Sequence, residues 1–139
     1  MKLNLKLFLA PAVLVVLIAG CTNVSAPPPV SQNTAVTSLV DVARADIDAG
    51  RIPTAVASLE RALRIEPRNP RLWHELARAR LKQNEYVQAE NLAARSNSWV
   101  GTDNRLRVDN WRLIAEARTA RGDKNGANAA LERAKQAER

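Results

Sequence analysis

One cysteine, one histidine, one tyrosine and one phenylalanine stand among 139 residues, with three tryptophans and five glycines. Each scarcity closes a class of explanation. A single thiol forms no internal disulfide, so packing and hydrogen bonds must hold any fold together. A single histidine, His74, makes no paired-histidine zinc helix: His74-Glu75-Leu76-Ala77-Arg78 carries Arg where the second His belongs. No glycine-rich loop offers a phosphate cradle. Aromatics, at 4% of the chain, are too few to interleave with basic residues as single-strand nucleic-acid binders require. The longest apolar run, Leu7 to Ile18, has 12 residues and contains Pro11, whereas a bilayer-crossing helix needs about 20. The carboxylates Asp46 and Asp48, or Glu85 and Glu90, lie in helical sequence among arginines and read as salt-bridged faces rather than acid–base pairs. The chain is therefore expected to be no enzyme and to need no cofactor or metal.

The lone cysteine has a telling context. Lys2 and Lys6 give a short basic start, the apolar run follows, and Leu17-Ile18-Ala19-Gly20-Cys21 closes it with small residues where a signal peptidase cuts. This arrangement resembles the lipobox of bacterial lipoprotein precursors. The resemblance implies that residues 1–20 are a cleaved signal peptide and that the Cys21 thiol receives a diacylglyceryl group. The freed amine would then take a further acyl chain, and at about 0.8 kcal/mol per buried methylene such chains anchor a protein durably. In the enteric sorting rule that comes with this resemblance, Asp after the lipidated cysteine retains a protein at the inner membrane. Thr22 stands there instead, which implies the periplasmic face of the outer membrane.

Without residues 1–20, 19 basic side chains face 14 acidic ones. The excess sits at the C-terminal end: residues 104–139 hold nine basic and five acidic groups, while 36–69 are balanced at five and five. Such charge attracts nucleic acid, anionic lipid or acidic protein through the same Coulomb interaction. Export makes nucleic acid an unsuitable partner. Residues 21–35, with Pro27-Pro28-Pro29 and no charged side chain, read as a lipidated tether.

From residue 36 onward apolar residues recur at three- and four-residue spacing, and Pro and Gly are sparse, which predicts an all-α domain. Ala62-Leu63-Arg64-Ile65-Glu66-Pro67-Arg68-Asn69 resembles the end of a tetratricopeptide unit and sets a 34-residue frame. Three repeats follow, 36–69, 70–103 and 108–139, forming a solenoid of about three helix-turn-helix units. Leu39, Val42, Ala43, Gly50, Ala55, Leu59 and Ala62 fill the first. Trp73, Leu76, Ala77, Asn84, Tyr86, Ala89 and Ser96 fill the second; Trp111, Ile114, Ala115, Gly122, Ala127, Leu131 and Ala134 the third. Trp73 and Trp111 are expected in the core. The four extra residues between them are assigned to Ser96–Arg107, read as an extended connection holding Trp99.

In tetratricopeptide proteins set positions of each first helix line the inner face. Carried onto this chain they select Thr37, Val40, Arg44, Ile47 and Asp48, then Arg71, His74, Arg78, Leu81 and Lys82, then Asp109, Arg112, Glu116, Thr119 and Ala120. Arg44, Arg71, His74, Arg78, Lys82 and Arg112 are the candidate partner-binding residues, suited to carboxylates beside an apolar anchor. Val40 and Arg44 replace the Lys and Asn of the carboxylate clamp found in the chaperone-tail subgroup. Trp99 is read either as a lid over helix ends or as an exposed partner anchor. A lipobox, a short Pro-containing tether and the repeat with Asn110-Trp111-Arg112-Leu113-Ile114-Ala115 together resemble the LpoP-like activators of class A penicillin-binding proteins. That resemblance implies an envelope scaffold that activates peptidoglycan synthesis. A pilotin or secretin-assembly lipoprotein is the alternative.

Overall fold

The computed structural model describes residues 29–139; Cys21, the signal segment and the first part of the tether lie outside the described residues. Among the described residues six helices follow one another as three antiparallel pairs: α1 (Thr34–Asp48) with α2 (Ile52–Ile65), α3 (Pro70–Lys82) with α4 (Tyr86–Trp99), and α5 (Asn104–Ala120) with α6 (Lys124–Ala137). None of the described helices is long and apolar enough to cross a membrane.

Local chemistry sets these boundaries. The side chains of Asn33, Asn69, Asp103 and Asp123 accept hydrogen bonds from the first-turn amides of α1, α3, α5 and α6, satisfying donors that a helix start leaves orphaned. Pro70 opens α3, where a missing N–H costs nothing. Each pair is joined by a tight turn whose pivot has positive φ: Gly50 at 74°, Asn84 at 62° and Gly122 at 80°. Asn is one of the few residues with a side chain that tolerates this region. In each turn an amide reaches back five residues, Arg51 to Asp46, Glu85 to Arg80 and Asp123 to Arg118. In the first two turns the same residues also pair by charge, with the signs exchanged between them: Asp46 with Arg51, then Arg80 with Glu85.

The structure corrects the expected long connection between the second and third repeats. Helix α4 runs to Trp99 and α5 starts at Asn104, so only 100–103 link them. The four extra residues form an added first turn of α5. Asp103 caps Leu106 N at 3.0 Å, Leu106 and Val108 are buried, and Arg71 Nη2 holds Asp103 at 2.5 Å.

Two apolar clusters form the core. The first joins α1 and α2 to α3 through Val36, Val40, Leu59, Leu63, Leu72 and Leu76; the second joins α3 and α4 to α5 and α6 through Ala77, Ala89, Ala93, Leu113, Ile114 and Ala130. Val40, expected on the inner face, belongs to the first cluster. Trp73 and Trp111 are half-buried rather than internal: each packs against a cluster while its ring is roofed by Arg95 or Arg133 from the second helix of its own repeat. Val42 is 51% exposed although Leu76 and Ile114, its equivalents, are 5% and 1% exposed. No helix among the described residues precedes α1 to cover it. Leu131 is exposed on α6 for the same reason at the other end.

Candidate functional site

The first helices of the three pairs, α1, α3 and α5, line two adjoining hollows. One, of about 290 Å³, is bounded by Arg44, Arg71, His74, Glu75, Arg105 and Asp109, with Pro29 and Val30 at its edge. The other, of about 370 Å³, is bounded by His74, Arg78, Leu81, Lys82, Arg112 and Glu116. His74 and Asp109 border both, making one groove with Leu81, Leu106 and Leu113 as apolar lining between charged walls.

The groove charges are organised around Glu75, which is 5% exposed. Arg44 donates to its Oε1 through both Nε, at 3.0 Å, and Nη2, and Arg78 Nη1 reaches Oε2 at 3.1 Å. Burying an unpaired carboxylate is costly, so the two guanidinium groups stabilise it while it aims them. Arg112 pairs with Glu138 at 2.5 Å and lies 3.9 Å from Asp109. Lys82 and Arg105 make no ion pair among the described residues.

His74 is held by a buried relay. Ser96 Oγ donates to Pro70 O at 2.7 Å, and Asn110 Nδ2 donates to Ser96 Oγ at 2.7 Å and to Asn97 Oδ1 at 2.9 Å. Both amide hydrogens of Asn110 are thereby used, and its Oδ1, 2.7 Å from His74 Nδ1, must accept. In this arrangement the imidazole carries its hydrogen on Nδ1 and keeps the Nε2 lone pair as an acceptor.

Residues 46–107 match the tetratricopeptide repeat family model. Among solved structures, the globular C-terminal domain of LpoP from P. aeruginosa aligns with 76% of this chain and 99% of its own, at 38% identity and a TM-score of 0.74. This chain belongs to the LpoP-like tetratricopeptide-repeat family. No curated protein matches it. Tetratricopeptide repeats of the LpoP-like kind serve as protein–protein interaction modules.

For an LpoP-like module the groove brings together Arg44, Arg71, His74, Arg78, Lys82 and Arg112. Four of the five basic residues among them are already engaged by carboxylates of the chain itself, which position counting does not reveal. Trp99 does not line the groove. It ends α4, is 41% exposed, and lies under the Arg68 guanidinium, whose carbon is 5.3 Å from its ring centroid. Arg105 and Leu106, which line the groove, and Asn110, which contacts His74, are positions that sequence reasoning missed. Arg105 and Leu106 sit in the added turn of α5, outside the repeat frame, where only the capping Asp103 signalled a helix start.

Proposed function

We propose that this chain is a lipid-anchored, non-catalytic periplasmic protein that binds a class A penicillin-binding protein through the α1–α3–α5 groove and raises its peptidoglycan-synthesising activity. The observation that carries the reading is the groove itself, in a chain of LpoP-like family. Lys82 and Arg105, which make no ion pair among the described residues, and the apolar side chains between them suit a partner segment that presents carboxylates beside an apolar residue. Arg44 and Arg78 add N–H groups already oriented by Glu75, so a second carboxylate meets pre-set donors rather than mobile ones. The lipobox at Cys21 supplies the anchor, on the periplasmic face of the outer membrane.

Activation requires the groove to bind the active synthase conformation more tightly than the inactive one, because a ligand indifferent to two states shifts neither. The test is glycan polymerisation by a purified class A synthase with and without this protein, together with capture of crosslinked envelope complexes. Faster polymerisation and recovery of the synthase are expected. Recovery of a secretin or pilus component, with no change in polymerisation, would replace the reading with an assembly function.

A further inference from the structure

A second charged surface lies at the α2–α3 turn, built unlike the groove. The Arg68 guanidinium covers Trp99, and Arg95 covers Trp73 at 4.7 Å from the ring centroid. Arg95 and Trp99 stand one turn apart on α4, and Trp73 Nε1 donates to Pro67 O at 2.9 Å, beside Arg68. The two stacked pairs therefore form one patch. Arg64, Arg68, Arg95 and Trp99 are exposed, as is Ile65. Among the described residues these three arginines make no ion pair. The adjacent carboxylate, Glu66, is occupied by Ser31 Oγ at 2.5 Å and Asn69 Nδ2 at 2.7 Å.

A guanidinium held over an indole ring is positioned by the ring face, and N–H groups that no carboxylate engages can serve phosphate oxygens. Tryptophan beside basic residues is also the composition of a headgroup-level contact. The chain enters the domain at this same turn, where Asn69 Nδ2 donates to Val30 O at 2.9 Å. The eight residues Cys21–Pro28 span at most about 26 to 29 Å when extended. An anchor at Cys21 keeps this edge within reach of the membrane surface.

We infer that the Arg68–Trp99 and Arg95–Trp73 edge docks the domain onto an anionic lipid surface, with phosphates on the two guanidinium groups and the Trp99 ring at headgroup level. The inference goes beyond the groove reading and rests on the lipid-anchor part of the proposed function. Each basic group beside an anionic surface strengthens partition by about fivefold.

The test uses residues 29–139 without the anchor. Both core clusters lie inside this segment, and the solved LpoP relative is likewise a globular domain taken alone. Sedimentation is measured with phosphatidylcholine vesicles containing or lacking phosphatidylglycerol. Wild type is expected to bind the anionic vesicles, to lose binding as salt rises, and to shift its tryptophan emission to the blue. Arg68→Glu with Arg95→Glu is expected to weaken partition more than tenfold with the helical circular dichroism unchanged, and Trp99→Ala to weaken it less. Lys82→Glu with Arg105→Glu, in the groove, is expected to bind vesicles within a few-fold of wild type. Equal binding to neutral and anionic vesicles, no binding to either, or full binding by the Arg68 and Arg95 double variant would overturn the inference. Capture of a polyglutamate peptide without vesicle binding would assign the edge to an acidic protein instead. Synthase stimulation that fails while anionic vesicle binding holds would count against the proposed function alone.

Discussion

The joint between the first and second repeats packs apolar side chains at positions where the joint between the second and third, beside its own apolar cluster of Ala89, Ala93 and Ile114, sets polar ones. Where α2 meets α3, Val56, Leu59 and Leu63 pack on Leu72 and Leu76. Where α4 meets α5, Glu90 stands at the position of Val56, Asn97 at that of Leu63 and Asn110 at that of Leu72. Glu90 binds Arg118 at 2.5 Å and Arg121 at 3.0 Å, and its hydrogen bond holds the Arg118 guanidinium charged above its ordinary range. Asn110, fully buried, ties Ser96 and Asn97 to His74. At these positions of the first joint apolar contact makes no directional demands, and its ion pairs, Arg44 with Glu75 and Arg80 with Glu60, lie outside them. Hydrogen bonds in the second fix the orientation of a groove side chain, and each costs more if one partner is lost. Both joints reach the groove, the first through the Arg44–Glu75 pair and the second through the contact of Asn110 with His74.

The largest effect is expected from Leu72→Ala. It removes a fully buried side chain from the first joint and is expected to cost about 2 to 5 kcal/mol, read as a fall in the midpoint of urea unfolding. A loss below about 1 kcal/mol would show that the joint has room to collapse. Asn110→Ala comes next, at about 1 to 3 kcal/mol, because Ser96, Asn97 and His74 lose a common partner. Its sharper readout is the imidazole nitrogen spectrum of His74, which is expected to change from one tautomer to a mixture. A wild-type tautomer in Asn110→Ala would break the link between this joint and the groove. Glu75→Gln is expected to lower stability by roughly 1 kcal/mol, a value discounted because Arg44 and Arg78 are about half exposed. The smallest effect belongs to Val42→Ala and Leu131→Ala, each expected within about 0.5 kcal/mol of wild type, since both side chains are on uncovered helix faces.

The fold was legible because helical periodicity, Asn and Gly at the turn pivots, and the 34-residue frame from Glu66-Pro67 agree with one another. The frame misled where it was applied to the ends of the stack. Val42 and Leu131 occupy core positions of the motif, but burial at those positions comes from a neighbouring repeat, and no described helix supplies it. It also assigned the four extra residues to a connection, although Asp103 is followed by a stretch that continues the α5 helix for one more turn. The site was legible as a set of positions and not as a pattern of charges. Arg44, Arg71, Arg78 and Arg112 line the groove, and the Arg78–Glu75 pair has an ordinary i,i+3 helical spacing, but the partners of Arg44, Arg71 and Arg112, namely Glu75, Asp103 and Glu138, come from other helices and turns, at separations no periodicity encodes. The sequence shows Asn110 only as part of a repeat motif, because a buried amide acts through neighbours that become adjacent on folding.

These pairings also decide which variants test the groove. Arg78→Glu would set a second carboxylate beside buried Glu75 and confuse unfolding with lost binding. Lys82→Glu with Arg105→Glu changes the two groove cations that make no ion pair among the described residues, leaving both joints intact. The decisive measurement is the rate of glycan polymerisation by a purified class A synthase with wild type and with this double variant, their melts having been matched. The groove account predicts that wild type raises the rate and the double variant does not, with stimulation by wild type declining as salt is added. Equal stimulation by both proteins would contradict it.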